Sequence, residues 1–145
     1  ASVRHNRADV VYEAPVEGDM NRYMAIFEDY DDIERIGSVR SCRTYYLLFA
    51  KEFEANYVHF GYSEYAAELF WHSSPFHALD GMAYCSFYRT ADRVAPHNAY
   101  TSWNGIMDSV AKKGYDTVYP QNFVKPFSFN EEDDKQVQIA GGETC

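Results

Sequence analysis

The strongest constraint on the fold is a change of period in the middle of the chain. Residues 36–39 form a short apolar run, and across residues 42–53 the apolar side chains recur at helical spacing. That change predicts a strand running directly into a helix. Ser41 stands where an N-cap is needed, and Tyr46, Phe49, Ala50 and Phe53 share one face of the helix. Arg40 and Arg43 bracket the junction in Gly37-Ser38-Val39-Arg40-Ser41-Cys42-Arg43. Free N–H groups of a first helical turn, flanked by two guanidinium forks, suit a phosphate or carboxylate. The same residues have a second reading, in which each arginine pairs with one of the 22 carboxylates of this acidic chain.

Similar alternation continues to either side. Residues 9–15 are a short apolar run closed by Pro15, open to reading as a strand or as one helical turn. After the turn Glu17-Gly18-Asp19, residues 20–27 read as a mostly buried strand with Arg22 on one face. Glu28-Asp29-Tyr30-Asp31-Asp32 reads as a solvated loop, because it lacks the ligand spacing and closing glutamate of a calcium-binding EF-hand. Residues 55–61 read as a central strand with Tyr57, His59 and Gly61 on one face. Ser63 caps a second helix over 64–71, and an irregular loop follows through Met82. A strand over 84–88 delivers Arg89 into a loop over 91–100. Thr101 or Ser102 caps a third helix over 103–113, which Gly114 ends. Residues 124–129 and 137–140 are further strand candidates. Strands and helices alternating across short connections predict an α/β or α+β fold, a layered mixed sheet with helices packed on it, as a single domain over residues 1–145.

Composition narrows the functional classes. An apolar fraction of 46% and an aromatic fraction of 17% support a packed core despite a net charge of -9. That charge opposes nucleic acid and anionic membrane surfaces as partners. All eight arginines nevertheless precede residue 94, so a local basic patch remains compatible with it. Cys42, Cys85 and Cys145 lack the spacing of a zinc site; a Cys42–Cys85 disulfide and buried free thiols are both open. No apolar run reaches the ~18 residues of a membrane span. There is no glycine-rich phosphate loop, GxSxG elbow or HExxH helix, and neither metal nor cofactor is expected. The opening Ala1-Ser2-Val3-Arg4-His5 carries no signal or lipidation motif and reads like the middle of a longer chain.

Other polar groups compete for attention with Arg40 and Arg43. His97 and Asn98, in the proline-bounded loop Ala95-Pro96-His97-Asn98, suit ligand orientation or proton transfer, and equally suit satisfying the loop backbone. His59 reads as a hydrogen-bonded core residue or a ligand. Glu17, beside Glu13, is an acid or an ion-pair partner for an arginine. Cys42 beside two arginines is a conceivable nucleophile, with no base assigned to it.

Four segments in order, Ala8-Asp9-Val10-Val11-Tyr12-Glu13-Ala14-Pro15-Val16-Glu17-Gly18 with Arg22 beyond it, Ile36-Gly37-Ser38-Val39-Arg40-Ser41-Cys42-Arg43, Tyr57-Val58-His59-Phe60-Gly61, and Ala95-Pro96-His97-Asn98-Ala99-Tyr100-Thr101-Ser102, resemble the N-terminal domain of the YerB-like bacterial lipoproteins. That domain has no assigned function. The resemblance implies an extracytoplasmic, lipid-anchored parent in a Gram-positive type of envelope, with a second, C-terminal domain. This chain departs from the pattern: it lacks the preceding apolar strand and the lipidated cysteine, and Cys42 and Thr44 replace a small residue and a proline. The matched polar residues, Glu17, Arg22, Arg40, Arg43, His59, His97 and Asn98, suggest one shared cleft. The leading expectation is a non-catalytic envelope module binding an anionic cell-wall component or small molecule. In it Arg40 and Arg43 form the clamp, Arg22 or Arg89 adds a contact, and His97 and Asn98 orient the ligand. The rivals are an enzyme of phosphoryl or glycan linkages with His59 or His97 as base and Glu17 as acid or metal ligand, and a protein-interaction module using its 13 tyrosines.

Overall fold

The structure, a computed structural model, describes residues 7–28, 30–31, 33–72, 76–83 and 86–128, with Trp71 and His72 described by backbone alone. Strands β1 (Val10–Val16) and β2 (Met20–Ile26) form an antiparallel hairpin in which Tyr12 faces Met24 and Ala14 faces Arg22. Burial alternates along β1, so Tyr12, Ala14 and Val16 turn inward, the pattern of a strand with one wet face. Pro15 does not end the strand. It sits within β1 opposite Asn21, a place proline tolerates because β1 has, among the described residues, only β2 as a neighbour.

Helix α1 (Thr44–Glu52) packs on the inward face of the hairpin. Tyr12 stacks on Phe49 with ring centroids 4.6 Å apart and meets Phe53 edge-on at 6.4 Å. The Tyr46 hydroxyl donates to the Arg22 carbonyl, and that of Tyr45 to the Pro15 carbonyl at 2.6 Å. The opposite side of α1 buries Leu47 with Cys42 and Ala66, the last from α2 (Glu64–His72). One amphipathic helix thus serves two apolar clusters.

The remaining strands are short. β3 (Ile36–Gly37), β7 (Ala99–Thr101) and β6 (Tyr88–Arg89) form an antiparallel sheet with β7 central, while β4 (Tyr57–His59) and β5 (Ala78–Asp80) pair in parallel. Gly37 has φ +148, and a Cβ there would lie 2.6 Å from a Tyr100 ring carbon, so β3 reaches β7 only with glycine. Helix α3 (Trp103–Lys113) closes this half, burying Ile106 and Val110 with Leu79. The fold is α+β, with parallel and antiparallel pairs divided among three small sheets of the described residues.

Several boundaries differ from expectation. α1 starts at Thr44, and its N-cap is the extended Arg43 without a side-chain capping bond, so Ser41 is not the cap. The cause is a competing pairing: Phe60 N–H donates to Arg40 O at 3.0 Å, Cys42 N–H to Gly61 O at 2.9 Å, and Ser63 N–H to Cys42 O at 3.1 Å. Residues 40–42 are therefore held extended beside 60–63. The strand expected over 55–61 shortens to Tyr57–His59, and its partner β5 lies in what reads as an irregular loop. β7 is likewise unforeseen, because three residues are too few to display a period. Of the strand expected over 84–88 only Tyr88 is in a strand, with residues 84 and 85 outside the description. Residues 124–128 have no regular structure, and 129 and 137–140 lie outside the described residues. The end signals of the later helices match expectation. Ser63 Oγ accepts from Ala66 N at 3.3 Å, Ser102 Oγ accepts from Gly105 N at 3.2 Å, and Gly114 adopts the left-handed conformation at φ 66.

Candidate functional site

Arg40 is placed by the backbone on both sides of it. Val39 N–H donates to Ala99 O at 2.8 Å, and the Arg40 carbonyl accepts from Phe60, so Arg40 is fixed between β7 and the exit of β4. Its Nη1 lies 2.7 Å from His97 Nδ1. A guanidinium only donates, so Nδ1 must accept, which makes His97 the neutral Nε2–H tautomer. His97 itself is exposed, in a turn closed by its own N–H to Val94 O at 2.9 Å. The sequence separation of 57 residues is spanned by tertiary structure alone.

Arg22 and Arg43 converge on one carbonyl. Arg22 Nη1 donates to Ser41 O at 2.7 Å, and Arg43 Nη1 to Ser41 O at 3.3 Å and Cys42 O at 2.9 Å. Arg43 also grips Glu17 through Nε at 2.9 and 3.1 Å and Nη2 at 2.6 Å. That grip holds the Glu17 carboxyl well below its ordinary value, at about 2, although the side chain is 69% exposed. Arg22 has the opposite surroundings. Burial, then the neighbouring Arg43 and Arg40 charges, hold its guanidinium below the ordinary arginine value. Neither Arg22 nor Arg40 has an ion-pair partner among the described residues.

The other flagged residues serve the framework. His59 is 1% exposed and stacked between Tyr57 and Phe70, each with its ring centroid 5.5 Å away. Its Nδ1–H donates to Gly61 O at 2.8 Å, its Nε2 is buried without a hydrogen-bond partner among the described residues, and burial lowers its basicity. Asn98 is buried, accepting from Arg89 Nη1 at 2.6 Å and donating to Thr90 O at 3.0 Å. Arg89 also lies over the Phe60 ring at 4.8 Å. Cys42 is a free, fully buried thiol pushed up to about 12 by burial, which corrects its reading as an activated nucleophile. Cys85 and Cys145 are outside the described residues.

Two concavities meet at Arg40. A groove of about 610 Å³ runs between the hairpin, β3, β4 and α3, with Arg22, Arg40, Ser41 and His97 in its lining. Met24, Ile26, Val58, Trp103 and Met107 are among its apolar walls. A second hollow of about 580 Å³ lies beyond Val39, Arg40 and Ser41, bounded also by Gly61, Asp80 and Arg89. Arg22, Arg40 and His97 are thus brought to the first, and Arg40 and Arg89 to the second. Glu17, Arg43, His59 and Asn98 line neither. Glu28 and Glu54, also in the groove lining, are paired with Lys125 at 2.8 Å and Lys51 at 2.6 Å.

Three contributors escaped the sequence reading. Asp80 Oδ1 accepts from Gly61 N at 2.8 Å and Met82 N at 3.0 Å, shaping the rim of the second hollow. An Asp-Gly pair is a turn signal, and Asp80-Gly81 carried it. Trp103 and Met107 of α3, to which the sequence reading assigned no role, supply groove wall. Among the described residues no group of three or more His, Cys, Asp or Glu side chains is arranged to hold a metal ion.

Comparison with known proteins places this geometry. The family model described as "Protein of unknown function (DUF3048) N-terminal domain" matches residues 5–116. The putative lipoprotein YerB of Bacillus subtilis (strain 168) is 33% identical over 132 residues, covering 90% of this chain and 38% of the relative. The crystal structure of the YerB protein from Bacillus subtilis superposes with a TM-score of 0.72 at 32% identity, over 78% of this chain and 39% of that one. The chain therefore spans well under half the length of the relatives it matches.

Proposed function

The chain belongs to the DUF3048 N-terminal-domain family, and on that premise we propose that it is a non-catalytic, extracytoplasmic binding module whose Arg22–Arg40–His97 groove end holds an anionic group of a cell-wall ligand. The observation that carries this reading is charge imbalance. In a chain of net charge -9, two neighbouring arginines face one groove without a carboxylate partner among the described residues. A half-buried cation without a counter-ion is costly, and a phosphate or carboxylate arriving there offsets the cost with charge-assisted hydrogen bonds. Arg40 retains further N–H groups beyond the one given to His97, and His97 Nε2–H supplies a neutral donor. The parent's tether to the envelope would be a lipid anchor, as the name of the Bacillus relative suggests for that protein.

The catalytic alternative has less support. It needs His59 or His97 as base with Glu17 as acid. His59 is sealed among aromatic rings, Glu17 is spent on Arg43, and the His97 Nδ1 lone pair is taken by Arg40. The interaction alternative rests on exposed Tyr23, Tyr62, Tyr65, Tyr88 and Tyr119, which belong to five different segments of the chain.

Thermal-shift titration with inorganic phosphate, pyrophosphate and galacturonate tests the proposal. The wild-type chain is expected to be stabilised by at least one of the three. Arg40→Ala and Arg22→Ala should each remove that stabilisation. Stabilisation that both variants keep in full would overturn the anion site.

A further inference from the structure

We infer that the ligand is an amphiphile, a single-chain lipid phosphate whose head sits at Arg22 and Arg40 and whose hydrocarbon chain lies along the groove; this rests on the anion reading just given. Strand β2 carries the first argument. Arg22, Met24 and Ile26 share its inward face, so a cation is followed by two apolar side chains on the same wall. At about 3.4 Å per residue that row extends roughly 13–14 Å from the charge. Met24 is itself buried against Tyr46 and Ala50, and Ile26, half-buried, leaves apolar surface to the groove.

The opposite wall repeats the pattern. Ile36 of β3, Val58 of β4 and Met107 of α3 are only half-buried although apolar, and each lines the groove. A volume of about 610 Å³ falls within the ~300–1,000 Å³ typical of sites that enclose small organic ligands. It far exceeds what inorganic phosphate needs.

Charge selects the head. Of the three carboxylates in the lining, Glu28 and Glu54 are each paired with a lysine and Asp116 has no ion pair among the described residues, whereas Arg22 and Arg40 have no ion-pair partner among them. Two cations with a neutral N–H donor beside them match a phosphate monoester, which carries up to two negative charges and three acceptor oxygens, better than a singly charged carboxylate. The unpaired cations thus stand at the Arg22–Arg40 end, beside apolar wall from Ile26, Ile36, Val58 and Met107.

Binding of hexyl, octyl, decyl and dodecyl phosphate below their micellar concentrations tests the inference, measured by calorimetry against inorganic phosphate, dodecanol and dodecanoate. Affinity is expected to rise along the series, with dodecyl phosphate at least about tenfold tighter than inorganic phosphate. Arg40→Ala should weaken every phosphate probe, and Met107→Glu should erase the chain-length gain. The chain-length series on the wild type decides the matter even if Met107→Glu misfolds. Arg40-dependent phosphate binding with no chain-length gain would overturn the amphiphile and leave the anion reading standing. Chain-length-dependent binding indifferent to Arg40→Ala, or dodecanol binding as tightly as dodecyl phosphate, would overturn both. Dodecanoate equal to dodecyl phosphate would overturn the phosphate head.

Discussion

Arg40 and Arg43 are three residues apart and differ in what surrounds them. At the Glu17–Arg43 corner one carboxylate takes three of the four hydrogen bonds of 3.1 Å or less that Arg43 makes, and the charge is quenched locally. At the groove end Arg22 and Arg40 face a backbone carbonyl and a neutral imidazole, so their charge is left over. The corner fastens the β1–β2 turn to the start of α1. On the reading proposed above, the groove end keeps its charge for a ligand. Residue type does not separate an anchor from a site here; the presence of a counter-ion does.

Substitutions in the anchoring group should change stability, and those in the groove group should change binding. The largest stability effect is expected at His59. His59→Ala removes a ring stacked between two aromatics and the hydrogen bond to Gly61, and should cost roughly 2–5 kcal/mol in urea unfolding. A loss below about 1 kcal/mol would remove His59 from the anchoring group. Next comes Asn98→Ala, which strands Arg89 and the Thr90 carbonyl and should cost about 1–3 kcal/mol. Phosphate binding at Arg40 should survive it.

Arg40→Ala sharpens the comparison from the other side. Its melting temperature should stay within about 3 °C of wild type while affinity for phosphate falls at least tenfold. Equal losses of affinity in Arg40→Ala and Arg43→Ala would dissolve the distinction drawn between them.

The smallest effect is expected for Glu17→Gln. The folded-state value of Glu17 is depressed from 4.5 to about 2, so its pairing stabilises fully above pH 4.5 and is lost as the pH falls through about 2. Glu17 is 69% exposed, which limits the contribution to no more than about 1 kcal/mol although Arg43 is only 16% exposed. Wild type and Glu17→Gln should therefore differ slightly in melting temperature at pH 7 and coincide near pH 2. A constant difference across that range would mean that the two side chains are not electrostatically coupled.

Much of the scaffold was legible because it obeys local rules. Ser102 and Gly114 delimit α3 through caps that depend on adjacent residues, and the period of residues 20–26 shows β2 with Arg22 on one face. α1 was misplaced at its start because Arg40–Cys42 answers to Phe60–Ser63, a pairing about twenty residues distant that no local signal announces. β5 and β7 were missed since three-residue strands are made by their partners, not by a repeating pattern of their own.

The sequence by itself determined which side chains could bear charge and which positions had to turn, because capping, glycine conformation and hydrophobic period act within a few residues. It also carried the family resemblance through four ordered segments. Only the tertiary structure decided which arginine met a carboxylate. Arg43 meets Glu17 because the hairpin turn folds back on α1, and Arg40 meets His97 because β7 returns beside β3. An ion pair is a property of distance in space, and sequence separation does not encode it.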